Sequence, residues 1–159
     1  MKPITVLGIG NILLQDEGYG VRVVENLSKR YRFPDDVQVL DGGTLGMELV
    51  RFLAGTKRLL IVDAINGDSP PGTFYRLTGE EVQAYFQEKV SMHELGIKDV
   101  LAVLGVTGQP VEEVVIIGVQ PESLDIGLDL TPAVAATMDR VIAAGLAELV
   151  RWQVEVTHA

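Results

Sequence analysis

A chain of 159 residues, 47% of them hydrophobic, fits one domain spanning residues 1–159 and suffices for a substantial core. Thirteen Lys and Arg against 22 Asp and Glu leave a net charge of −9, which opposes non-specific attraction to nucleic acid or anionic lipid and favours protein or small-cation partners. The absence of cysteine excludes disulfides, thiolate chemistry and zinc-finger sites, and with no signal-like or 18-residue apolar run it points to a soluble cytoplasmic protein.

Short β-rich runs alternate with helical patterns. Ile4 to Leu7 reads as a strand, Val21 to Leu27 as an amphipathic helix, Val37 to Leu40 as a second strand and Leu45 to Leu53 as a short helix. Leu59-Leu60-Ile61-Val62 is a continuous apolar run ending in Asp63, the pattern of a central parallel strand buried on both faces. Thr73 to Leu77 follows a Gly-Pro-rich turn and suits an edge strand, antiparallel to its neighbour. His93 to Leu104 reads as a helix and Val114 to Val119 as the last strand. Thr131-Pro132 then supplies an N-cap and a proline at the first position of a long helix reaching Trp152. Val141, Leu146, Leu149 and Val150 on that helix are expected in the core. The order predicts an α/β fold: one open, twisted, mostly parallel five-stranded sheet with helices on both faces.

In such sheets sites lie beyond the carboxyl ends of the strands. Gly8-Ile9-Gly10-Asn11 follows the first strand and opens a helix, as a phosphate-binding turn would. Leu13, however, stands where the dinucleotide fingerprint needs its third glycine, and the next charges, Asp16 and Glu17, repel phosphate. Asp16 and Glu17 after strand one, Asp41 at the end of strand two and Asp63 at the end of strand three would crowd one rim. Paired carboxylates there suit a divalent cation. Of the two histidines, His158 is expected in a frayed C-terminus, which leaves His93 as the imidazole donor. Asp41-Gly42-Gly43-Thr44 is a second tight turn at that rim, either a strand-to-helix turn capped by Thr44 or a place for a peptide strand to dock. No serine sits in a nucleophile-elbow context beside a histidine, so serine protease chemistry is not expected.

Taken together, Gly8-Ile9-Gly10-Asn11, Asp16-Glu17-Gly18-Tyr19-Gly20-Val21-Arg22, Asp41-Gly42-Gly43-Thr44, Asp63-Ala64 and Ser91-Met92-His93-Glu94-Leu95-Gly96 resemble the segments of hydrogenase maturation proteases. The resemblance runs on through Gly118-Val119-Gln120-Pro121-Glu122-Ser123 and Leu130-Thr131-Pro132, and so spans nearly the whole chain in order. Met92 departs from the proline associated with close relatives, which touches loop rigidity more than ligand identity. The resemblance implies a cytoplasmic endopeptidase that removes a C-terminal extension from the large-subunit precursor of a nickel-iron hydrogenase after metal insertion. It also implies that Glu17, Asp63 and His93 occupy metal-binding positions and meet the substrate's own nickel, with no organic cofactor.

Glu17, Asp63, His93 and Asp16 are then the candidate catalytic residues of an aspartic-type or nickel-dependent hydrolase, one carboxylate activating water. Asp16 has a competing structural reading, hydrogen-bonded to its own turn. Asp41, Gly42, Gly43 and Thr44 are the candidate contacts to the substrate protein, and a monomer is the default state. Two other readings are a non-catalytic metal-sensing chaperone for a metalloenzyme precursor and a nucleotide-binding domain in which Asp41 holds a ribose.

Overall fold

The computed structural model describes residues 3–88 and 96–159. Its strands are β1 (Ile4–Ile9), β2 (Tyr31–Arg32), β3 (Val37–Gly43), β4 (Arg58–Ala64), β5 (Phe74–Thr78), β6 (Glu113–Val119) and β7 (Thr157–His158). Its helices are α1 (Tyr19–Arg30), α2 (Leu49–Leu53), α3 (Glu80–Glu88), α4 (Ile97–Val106), α5 (Pro132–Ala135) and α6 (Met138–Arg151), with a 3-10 turn at Gln15–Gly18.

Five strands form one sheet in the order β3-β1-β4-β6-β5, all neighbours parallel except β5 against β6. The antiparallel edge strand and the mixed sheet agree with the sequence reading. The apolar runs are continuous because alternate side chains feed two cores, one on each face. Val6, Leu60, Val62, Val115 and Ile117 pack with α1 and α6 on one face. Leu7, Leu59, Ile61 and Ile116 pack with α2, α3 and α4 on the other.

Several details differ from the sequence reading, among them the short helix expected from Leu45, which starts at Leu49. The helix expected from Thr131 to Trp152 is two, Pro132–Ala135 and Met138–Arg151. At the break, the Thr137 hydroxyl donates to the Val134 carbonyl at 2.7 Å, a back-bond that competes with helical pairing, and it lies 2.7 Å from the Tyr19 hydroxyl, with which it shares a hydrogen bond. Val150 is exposed on α6 rather than buried, whereas Val141 and Leu149 are in the core. His158 is not frayed: it pairs with Tyr31 in the two-stranded β2-β7 sheet, with ring centroids 5.0 Å apart. Finally, α3 occupies a stretch that hydrophobic periodicity left unassigned. The helix expected from His93 begins, among the described residues, at Ile97. Among the described residues no helix is long and apolar enough to cross a membrane.

Candidate functional site

The side on which successive strands are added reverses between the parallel neighbours β1 and β4. From β1 the chain leads through α1 to β3 on one side, and from β4 it leads toward β5 and β6 on the other. The crevice between the carboxyl ends of those two strands is therefore the place for a ligand in a sheet of this kind. The Gln15–Gly18 turn hangs over it from β1, and Asp63 enters it from β4. Close backbone contact makes this geometry possible. A Cβ on Gly20 would stand 2.0 Å from the Val62 carbonyl oxygen, so α1 can start against β4 only through a glycine. Gly10, at φ 129°, passes under the turn where a Cβ would meet the Glu17 carbonyl oxygen at 1.8 Å.

Asp16 and Glu17 are adjacent in sequence but do different things. Asp16 is fully buried. Its Oδ2 accepts from the Glu122 N–H at 2.9 Å, the Ser123 N–H at 3.1 Å and the Thr131 hydroxyl at 2.8 Å, and its Oδ1 accepts from the Thr131 N–H at 2.9 Å. Charge-assisted bonds of this kind are the strong ones. They staple the turn after β1 to the loop after β6 and to the residue ahead of α5. The same two loops are joined by main-chain bonds, Gln15 N–H to the Gly127 carbonyl and Gly127 N–H to the Leu13 carbonyl, both at 2.9 Å. The Asp16 carboxylate is thus bonded to the loop after β6 and to Thr131 rather than to its own turn.

Asp63 is also fully buried, with its carboxylate bonded differently. Oδ1 accepts from its neighbour's amide, Ala64 N–H, at 2.9 Å, and Oδ2 accepts from the Tyr85 hydroxyl at 2.5 Å. Burial, together with the charge and hydrogen bond of Asp63 and the charge of Glu17, pushes the Tyr85 phenol well above its ordinary value. Tyr85 therefore stays protonated and donates. Glu17 in the turn after β1 and Asp63 near the end of β4 flank the same crevice, since the helix that follows the turn starts against Val62. They offer oxygen donors of the kind that hold divalent cations or orient water. Among the described residues no three His, Asp or Glu side chains gather into a metal-holding group, and the third expected ligand, His93, lies outside the described residues.

The Asp41-Gly42-Gly43-Thr44 turn lies beside this crevice. Asp41 pairs with Gly8, and after an irregularity in β1 the next pair is Ile9 with Gly43. Gly43 receives the Gly10 N–H on its carbonyl at 2.9 Å, so the two glycine turns are joined. Asp41 and Thr44 are exposed. Thr44 does not cap a helix, since α2 starts at Leu49 with no side-chain cap. On the far side of the rim, buried Gln120 at the end of β6 accepts from Gly67 N–H at 2.8 Å and donates to Asn66 Oδ1 at 2.9 Å, which shapes the loop leaving β4.

Tyr85 is the residue that the sequence reading missed. Its helix does carry a signal: Thr78-Gly79-Glu80-Glu81 is a capping-box sequence, and Glu81 Oε1 accepts from the Thr78 N–H at 3.2 Å.

The family model for hydrogenase maturation protease (HycI) matches residues 21–148. The Hydrogenase 2 maturation protease of Escherichia coli K12 is 48% identical over 147 residues, 92% of this chain and 90% of that one. The hydrogenase expression/formation protein HupD of Rhodobacter capsulatus is 40% identical over 156 residues, 97% of this chain and 74% of that one. Among solved structures, the hydrogenase maturating endopeptidase HybD from E. coli superposes with a TM-score of 0.91 at 47% identity, covering 98% of this chain and 96% of that one. The maturation protease HycI from Thermococcus kodakarensis superposes at 0.72 with 26% identity, covering 94% and 93%. By this family match and these relatives, this chain is a hydrolase that belongs to the hydrogenase maturation protease family.

Proposed function

We propose that this endopeptidase removes the C-terminal extension of a nickel-iron hydrogenase large-subunit precursor once nickel is in place, with Glu17, Asp63 and His93 meeting the substrate's nickel. The observation that carries this reading is the placement of buried Asp63 at the end of β4 and of Glu17 in the turn after β1, on either side of the switch-point crevice. Oxygen and imidazole donors with no thiolate can test for a cation without stripping it from a softer, sulfur-rich centre. In this role nickel licenses the cut and positions the scissile bond. Glu17 or Asp63 takes the proton from the attacking water. Asp16, engaged by four donors of its own chain, stays outside the chemistry.

A protein substrate also suits the rim. Leu13, Leu124, Ile126 and Leu128 are exposed on the two loops that Asp16 staples together, and the Asp41-Gly42-Gly43-Thr44 turn is proposed to contact the precursor as well. Net charge of −9 disfavours nucleic acid. The reading has the enzyme acting as a cytoplasmic monomer with no organic cofactor.

The test is to incubate the protein with nickel-loaded and nickel-free precursor and to read the C-terminal mass of each. Loss of one discrete peptide from the loaded form alone is expected. Cleavage of both forms would remove nickel from the reading, and stable binding without cleavage would make the protein a chaperone.

A further inference from the structure

Tyr85 belongs to none of the segments that carry the family resemblance, yet its hydroxyl is bonded to a fully buried carboxylate of the crevice. We propose that Tyr85 is a positioning residue that sets the plane of the Asp63 carboxylate, and so the direction in which Asp63 meets a metal ion. The inference rests on the reading of Asp63 as a metal-meeting residue.

The geometry argues it in three steps. First, the two oxygens of Asp63 are held by two donors of different kinds, the Ala64 amide on Oδ1 and the Tyr85 hydroxyl on Oδ2. The torsion that turns a carboxylate about its own axis is soft and broad. An amide from the next residue in the same strand moves with the strand and restrains one oxygen only. A second donor on the other oxygen, from another element, fixes the plane.

Second, that donor is itself held in place. The Tyr85 ring is packed against the core of α2, α3 and α4, with its centroid 5.9 Å from that of Phe86. Helix α3 is started by the Glu81 bond back to Thr78, directly after edge strand β5. The phenol oxygen thus reports the position of the sheet edge to the crevice.

Third, partners of this kind, behind a metal-binding side chain, orient it, and their loss characteristically costs about 10- to 100-fold in metal affinity or activity. Phenylalanine keeps the ring and its packing and removes only the donor, so Tyr85→Phe isolates the hydroxyl.

The experiment titrates cobalt(II) into the unaltered protein, Tyr85→Phe and Asp63→Asn, reading affinity and the visible d–d spectrum, with thermal unfolding of each metal-free protein in parallel. Expected for Tyr85→Phe are a dissociation constant raised about 10- to 100-fold, a changed spectrum and a melting temperature within a few degrees of the unaltered protein. A purely structural role would lower the melting temperature and leave affinity and spectrum alone. Asp63→Asn is expected to lose binding. An unchanged affinity and spectrum in Tyr85→Phe, with binding lost in Asp63→Asn, overturns the positioning role and leaves the metal reading standing. Unchanged binding in Asp63→Asn, or no cobalt binding by the unaltered protein, overturns both. Should Tyr85→Phe not fold, cadmium is titrated into unaltered protein labelled at the tyrosine ζ carbons. One of the four tyrosine signals is expected to move, and four unmoved signals overturn the proposal.

Discussion

Asp16 and Asp63 are both fully buried carboxylates at the same rim of the same sheet, and they are bonded in opposite ways. Asp16 takes three backbone N–H groups and a hydroxyl from two loops of its own chain. Asp63 takes its neighbour's amide and one side-chain hydroxyl from a helix across the crevice. The first set ties two loops together alongside their main-chain bonds. The second, among the described residues, links β4 to one side chain of α3 and holds both oxygens of a charged group. Burial of an acid is therefore no guide to its role until its donors are identified.

Exchanging the two acids for neutral residues should pull activity and stability apart. Asp63→Asn is expected to lower kcat on the nickel-loaded precursor by about 10²- to 10⁴-fold, the scale of a lost general base or ligand, while urea unfolding shifts by less than about 1 kcal/mol. Asp16→Ala should do the reverse. Leaving the part-buried N–H groups of residues 122, 123 and 131 without their acceptor costs about 2 to 4 kcal/mol in chemical unfolding, with kcat per folded molecule retained. A fall in kcat for Asp16→Asn at undiminished stability would break the comparison.

Two smaller effects sharpen it. Burial pushes the Tyr19 phenol up to about 12, against the opposing bond with Thr137 and the charge of Arg140. A raised value in the folded state means that the unfolded chain gives up this proton first. Stability is then complete below pH of about 10 and falls as pH rises toward about 12, by roughly 2 to 3 kcal/mol in all, read by urea melts across that range. Tyr85 acts in the same direction, but its loss reaches the crevice, whereas the loss of Tyr19 loosens α1 from the α5–α6 break. Thr131→Val removes a single hydroxyl from Asp16 and should cost about 1 to 2 kcal/mol in the same measurement, with cleavage unchanged.

The frame was legible in the sequence because its signals are local. The apolar run before Asp63 declared a central strand, Thr131-Pro132 declared a helix start, and acids at the ends of three strands declared the rim. What escaped depended on partners far along the chain. The break at Thr137 needs the Tyr19 hydroxyl, 118 residues away, and Asp16 becomes a staple only through donors 106 to 115 residues away. Tyr85 was hidden because one tyrosine on a helix with a polar first turn reads as packing, and only the strand register brings Asp63 to it. Thr157 and His158 carried no periodicity to announce their pairing with Arg32 and Tyr31.

The most direct measurement is the C-terminal mass of nickel-loaded precursor after incubation with Glu17→Gln, Asp63→Asn, His93→Ala and Asp16→Asn, each first shown to be folded. The expected result is full-length precursor with the first three and the processed mass with Asp16→Asn. Processing by Glu17→Gln and Asp63→Asn, with none by folded Asp16→Asn, would contradict the assignment of the crevice and hand the chemistry to the staple.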